Sequence, residues 1–225
     1  MSKSKVLVRA ATVAALVAVS ALPAAAQAWV YPAFQPPRTT TREFNFGLAS
    51  ADDAGTSLLF QWREGMSPKG QLSADIGFAD ADGGSAFFLG GQYAHQLAVA
   101  NTTTPLDFLL TIGAGFASFS PEADGADNTN FFRIPVGVVI GKRFPLEGAM
   151  SLTPYAHPRF VIENCGKCGP DGDGENEFGI EFDIGADFTF TPTIGMRFGA
   201  RMIGTDLSDD DAFGISLAWT PGRTR

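Results

Sequence analysis

Strict apolar alternation, two height-sorted bands of aromatics and acids gathered into alternate connections predict an all-β fold. The form they predict is an antiparallel up-and-down transmembrane β-barrel of about ten strands, with eight as the alternative. The clearest stretch is Glu177 to Met202. From Phe178 to Phe190 the even positions are apolar and the odd ones are Gly, Asp, Glu or Thr. After Thr191, Pro192 and Thr193 the alternation resumes through Ile194, Met196, Phe198, Ala200 and Met202. With Pro192 at the tip, antiparallel partners sum to 384, which sets Asp187 opposite Arg197 and Asp183 opposite Arg201 as interior charge pairs. The hairpin is oily on one side and ionic on the other.

Residues 1–28 read as a signal peptide: Lys3, Lys5 and Arg9, an apolar run to Leu22, then small residues ending at Ala28. Pro23 cuts the run short of the roughly 20 apolar residues that a spanning helix needs. Removing the segment takes three cations and no acids, so the charge moves from −8 to −11. An acidic exported chain argues against nucleic-acid binding. Residues 29–41 (WVYPAFQPPRTTT) are proline-rich and read as an extended lead-in to a single barrel domain over residues 42–225.

Strands follow in series. Arg42 to Ser50 and Thr56 to Arg63 present Phe44, Phe46, Leu48 and Leu58, Phe60, Trp62; Gln71 to Ala79 presents Leu72, Ala74, Ile76 and Phe78. Ala86 to Gln96 has three consecutive large apolar residues, Phe87, Phe88 and Leu89, which leave its register open. Leu106 to Ser118 and Phe131 to Gly141 alternate cleanly, whereas Pro154 and Pro158 mark Ser151 to Ile162 as irregular or bulged. The hairpin comes next, and Ala212 to Trp219 closes the series.

Connections after the first, third, fifth, seventh and ninth strands are crowded with acids against a single lysine, Lys167, while the others are nearly neutral, with two acids and three bases. A meander sorts its connections between two ends in this way. On the oily face Phe78, Phe116, Phe132, Phe160, Phe178 and Phe213 lie toward the acidic end, and Phe44, Trp62, Phe108, Phe188, Phe190 and Trp219 toward the other. Two aromatic girdles are what a bilayer selects on the outside of a barrel.

The segment FGIEFDIGADFTFTPTIGMRFGARM, the closing AFGISLAW and the Asp-Gly-rich loops resemble the bacterial outer membrane protein β-barrel domain family, the small OmpA/OmpX-like barrels. The resemblance covers the mature chain and implies an outer-membrane location, with lipid and lipopolysaccharide as surroundings, and a monomer. Two departures stand out: such barrels commonly have fewer strands, and this chain runs on past Trp219.

Few residues suggest chemistry. Cys165 and Cys168, in the longest acidic loop of an exported chain, are a disulfide candidate. A zinc site would need a second Cys/His pair, and the only histidines are His95 and His157. Asp171, Asp173, Glu175 and Glu177 resemble the opening of a calcium loop, but the sixth and twelfth positions are Asn176 and Phe182, so an EF-hand fails. Weaker divalent-cation contacts at the acidic loops remain an expectation, and no cofactor is implied. His157 shares a polar face with Thr153, Tyr155 and Arg159, with Ser73 and Ser216 within possible reach across a lumen, yet no spacing selects a triad.

The functional expectation is a non-enzymatic surface or structural barrel, or a narrow channel. The alternatives are a barrel-embedded hydrolase and a soluble exported lipocalin-like barrel with the oily face turned inward.

Overall fold

The structure is a computed structural model that describes residues 32–51, 55–81, 83–123, 127–168, 173–203 and 211–222. The signal-peptide stretch 1–28, most of the connection 204–211, and Asp171 lie outside these.

Ten long strands make the wall: β1 (Arg42–Ala51), β2 (Gly55–Gly65), β3 (Gly70–Ala81), β4 (Gly84–Ala98), β5 (Asp107–Pro121), β6 (Thr129–Gly141), β8 (Ser151–Cys165), β9 (Glu175–Thr189), β10 (Ile194–Ile203) and β11 (Ala212–Trp219). A two-residue strand, β7 (Phe144–Pro145), pairs with the start of β8 inside a turn. Each long strand is antiparallel to its neighbours in sequence, β6 pairs with β8, and β1 pairs with β11. The sheet is therefore closed.

The hairpin of β9 and β10 keeps the 384 register from Thr189 opposite Gly195 to Asp183 opposite Arg201, then slips by one at Ile203. In β4, Phe88 points inward while Phe87 and Leu89 point out, and a bulge lies between Gln96 and Ala98. The prolines of β8 do not bulge it. The β8–β9 ladder runs unbroken from Ser151 to Cys165, and β6–β8 keeps one register on both sides of Pro158, losing only the rungs beside it. A proline has no N–H to give, so a rung goes missing without shifting its neighbours.

The faces are turned opposite to those of a soluble protein. Phe178 is 66% exposed, Leu58 61% and Phe213 60%, whereas Arg63 and Arg197 are 2% exposed and Arg201 1%. A lipocalin-type arrangement, with the apolar face inward, is not what these strands form.

Candidate functional site

Among the described residues the wall gathers its buried polar groups in the lumen, whose shape follows from small residues. Gly77 lies across from Phe88, and Gly185 across from Tyr155. A Cβ at Gly77 would come within 2.2 Å of the Phe88 ring, and one at Gly185 within 2.4 Å of Tyr155. Glycine on one strand lets a ring on the next lie flat over it, filling a narrow interior without forcing the wall outward.

Toward the acidic end the filling is apolar: Leu59, Phe88, Phe119 and Phe131, with small alanines between them, form one buried cluster. Elsewhere it is mainly ionic, beside a smaller apolar group of Ala94, Leu109, Val139 and Tyr155. Glu43 receives Arg197 through both oxygens, at 2.7 and 2.6 Å, and Arg63 at 2.6 Å. Glu181 binds Arg133, faces Arg159 at 3.0 Å and Arg201 at 3.5 Å, and Arg159 reaches on to Asp183 at 2.7 Å. Paired in this way, buried charges avoid the heavy penalty of desolvation alone.

The predicted pairs are placed as follows. Asp187 and Arg197 face each other with 3.4 Å between their charged atoms, but the shorter contacts of Arg197 are to Glu43. Asp183 is opposite Arg201 in the ladder, while its 2.7 Å contact is to Arg159 on the other side. Glu43, Arg63, Arg133 and Glu181 were not singled out from the sequence. For two of them a signal was there: in the β1–β2 hairpin Glu43 is the cross-strand partner of Arg63, found by the same arithmetic.

The described part of the lead-in also lies in the lumen. Pro32 to Thr40 forms a strap across it, with Phe34 and Gln35 fully buried. Arg63 donates to Phe34 O at 2.8 Å, Asp183 accepts from the Ala33 N–H at 3.0 Å, and Arg38 meets Asp107 at 2.9 Å near the mouth. An aromatic in a proline-rich lead-in was the one clue that this segment is more than a linker.

Cys165 and Cys168 form a disulfide at the acidic end, with Cys165 inside the apolar cluster. Beside it Lys167 donates to Asp127 at 2.6 Å and holds that carboxyl below its ordinary range. His157 is fully buried and shares a hydrogen bond with Thr111 at 2.9 Å, while Ser73 bonds Gln92 O. Among the described residues no group of three or more His, Cys, Asp or Glu is arranged to hold a metal.

The aromatics of the girdles all lie on the outer face. Phe44 stacks on Trp219 at 5.4 Å across the β1–β11 seam, Phe160 on Phe178 at 5.9 Å, and Phe188 meets Phe190 edge-on at 4.7 Å. Trp62, Phe78, Phe116, Phe132 and Phe213 are exposed, and Phe108 is half-buried. Phe46, Phe60 and Phe198 occupy the same outer face between the two bands.

No protein-family profile matches the chain, and no curated protein matches it in sequence. Solved structures with a similar chain trace include the β domain of the Bordetella autotransporter Brka, at 13% identity over 80% of this chain and 99% of that one, with a TM-score of 0.48. LpxR from Salmonella typhimurium is 10% identical over 80% of this chain and 100% of its own, with a TM-score of 0.43. KdgM porin is 7% identical over 80% and 99%, with a TM-score of 0.40.

Proposed function

We propose that this protein is a non-enzymatic outer-membrane barrel with a sealed lumen, serving as a structural or surface-interaction protein of the cell envelope. The observation that carries the reading is the inverted distribution of residues: arginines and carboxylates inside, phenylalanines and leucines outside. Water would meet an apolar exterior far larger than the few hundred Å² that soluble monomers commonly tolerate. Hydrocarbon solvates the same exterior, and a closed sheet leaves no open strand edge there.

The lumen favours a seal over a channel. The strap, the two ionic groups and the apolar cluster interlock in it, with Phe34 of the strap part of the apolar cluster, and the inner cavity that Ala33 lines is about 40 Å³. The acidic connections then form the surface-facing end, where divalent cations would bridge them to anionic lipopolysaccharide. A hydrolase on this wall would need a base, a nucleophile and access for a substrate; His157 does meet the Thr111 hydroxyl at 2.9 Å, but both side chains are fully buried.

The test is electrophoretic mobility, unboiled against boiled, of protein extracted from the outer-membrane fraction, joined to planar-bilayer recording. A heat-dependent shift without conductance steps is expected. Recovery as a soluble protein with no shift would sink the membrane assignment, and steady conductance from the intact chain would sink the seal.

A further inference from the structure

The ladders of the wall close without the strap, although its Phe34 belongs to the buried apolar cluster. Each barrel strand is hydrogen-bonded on both sides by other strands, so residues Pro32 to Arg38 add no rung to any ladder. What holds them is a set of lumenal side chains directed at their main chain. Gln61 donates to Ala33 O at 3.3 Å, Arg63 to Phe34 O at 2.8 Å and Gln96 to Pro37 O at 2.9 Å, while Asp183 accepts from Ala33 N. Pro32, Pro36 and Pro37 bring no N–H of their own and so ask little of the wall, and between them the chain kinks at Phe34, whose φ is +46°.

One side chain is read in depth. Phe34 enters a hollow formed by Gly47, Gly199 and Gly214 on the adjoining strands β1, β10 and β11. A Cβ at Gly214 would stand 2.6 Å from its ring, and one at Gly47 or Gly199 would stand 3.4 Å away. Three glycines side by side in a wall are a socket shaped to an aromatic ring. The strap is also a partition: Ala33 lines the inner cavity of about 40 Å³, and Pro36 to Thr40 line a vestibule of about 510 Å³ at the mouth.

We propose that the lumen is a peptide-binding site for a proline-flanked aromatic segment kinked at its aromatic residue, filled here in cis by Pro32 to Arg38, and that the strap leaves it as a unit. Withdrawal joins the inner cavity to the vestibule and bares Arg63, Gln61 and Asp183 to solutes from the mouth.

The test severs the strap after folding. A site-specific protease sequence is inserted between Thr41 and Arg42, both exposed, and the full chain is folded and then cut. A fluorescent peptide of residues 32–38 is titrated in excess against cut and uncut protein, with anisotropy as the readout and the mobility shift as the fold check. Cut protein is expected to keep the shift and bind the peptide saturably, while uncut protein does not bind. A peptide carrying Phe34→Ala should bind about tenfold more weakly or worse, because the buried ring supplies the main apolar contact. Loss of the shift once the strap is displaced would show it to be part of the fold and overturn the proposal. A folded, cut barrel that ignores the peptide, or that binds both peptides equally, would overturn it as well.

Discussion

Two zones of the lumen are filled by opposite means. Toward the acidic end, Leu59, Phe88, Phe119 and Phe131 pack as the core of a soluble protein does, while Glu43, Glu181 and Asp183 elsewhere hold a lattice of arginines. Both zones are buried, so neither is a place where water decides. A narrow barrel asks of its inner face that volume be filled and that no charge stand alone, and polarity is secondary. The two zones should therefore fail differently: one by opening a void, the other by stranding a charge.

The largest effect is expected from Glu181→Ala, which leaves Arg133, Arg159 and Arg201 without their shared carboxylate. The expected loss lies in the upper part of the range of about 3 to 5 kcal/mol for breaking a buried ion pair, read from thermal unfolding of detergent-folded protein. Phe88→Ala, in the apolar zone, should cost about 3 kcal/mol through the cavity it opens. A Phe88→Ala loss greater than that of Glu181→Ala would break the comparison, because the arginines would then be held by their remaining partners, as Arg159 is by Asp183. Asp187→Ala should be the mildest, about 1 kcal/mol, since the carboxylate lines the vestibule, makes only a 3.4 Å contact and leaves Glu43 in place for Arg197. An unchanged melting temperature for Asp187→Ala would mean that the arginine is neutralised by Glu43 alone.

The wall was legible because a strand repeats every second residue, and Phe178 to Phe190 hold that period without a slip. The hairpin register was legible for the same reason, down to Asp187 opposite Arg197. Ionic partners were less so. Arithmetic within one hairpin names the neighbour on that ladder, but a guanidinium is long enough to cross to the next, as Arg159 does in reaching Asp183. Phe88 was ambiguous because an inward phenylalanine contradicts a polar interior, and what makes room for it is a missing side chain, at Gly77, on another strand. The strap was illegible. Its prolines carry no period, and its partners lie as far away as 150 positions, between Ala33 and Asp183.

The seam between β1 and β11 sets a condition on how such a chain is made. Until Ala212 to Trp219 are in place, β1 and β10 each present a row of main-chain groups with nothing to bond. Hydrocarbon does not tolerate such rows, and in water they recruit other chains. A polypeptide truncated just before the final eight-residue strand would hold nearly the whole sequence and still be a candidate for aggregation rather than insertion. Quality control in the envelope that sensed only this strand would be sensing the completeness of the entire barrel.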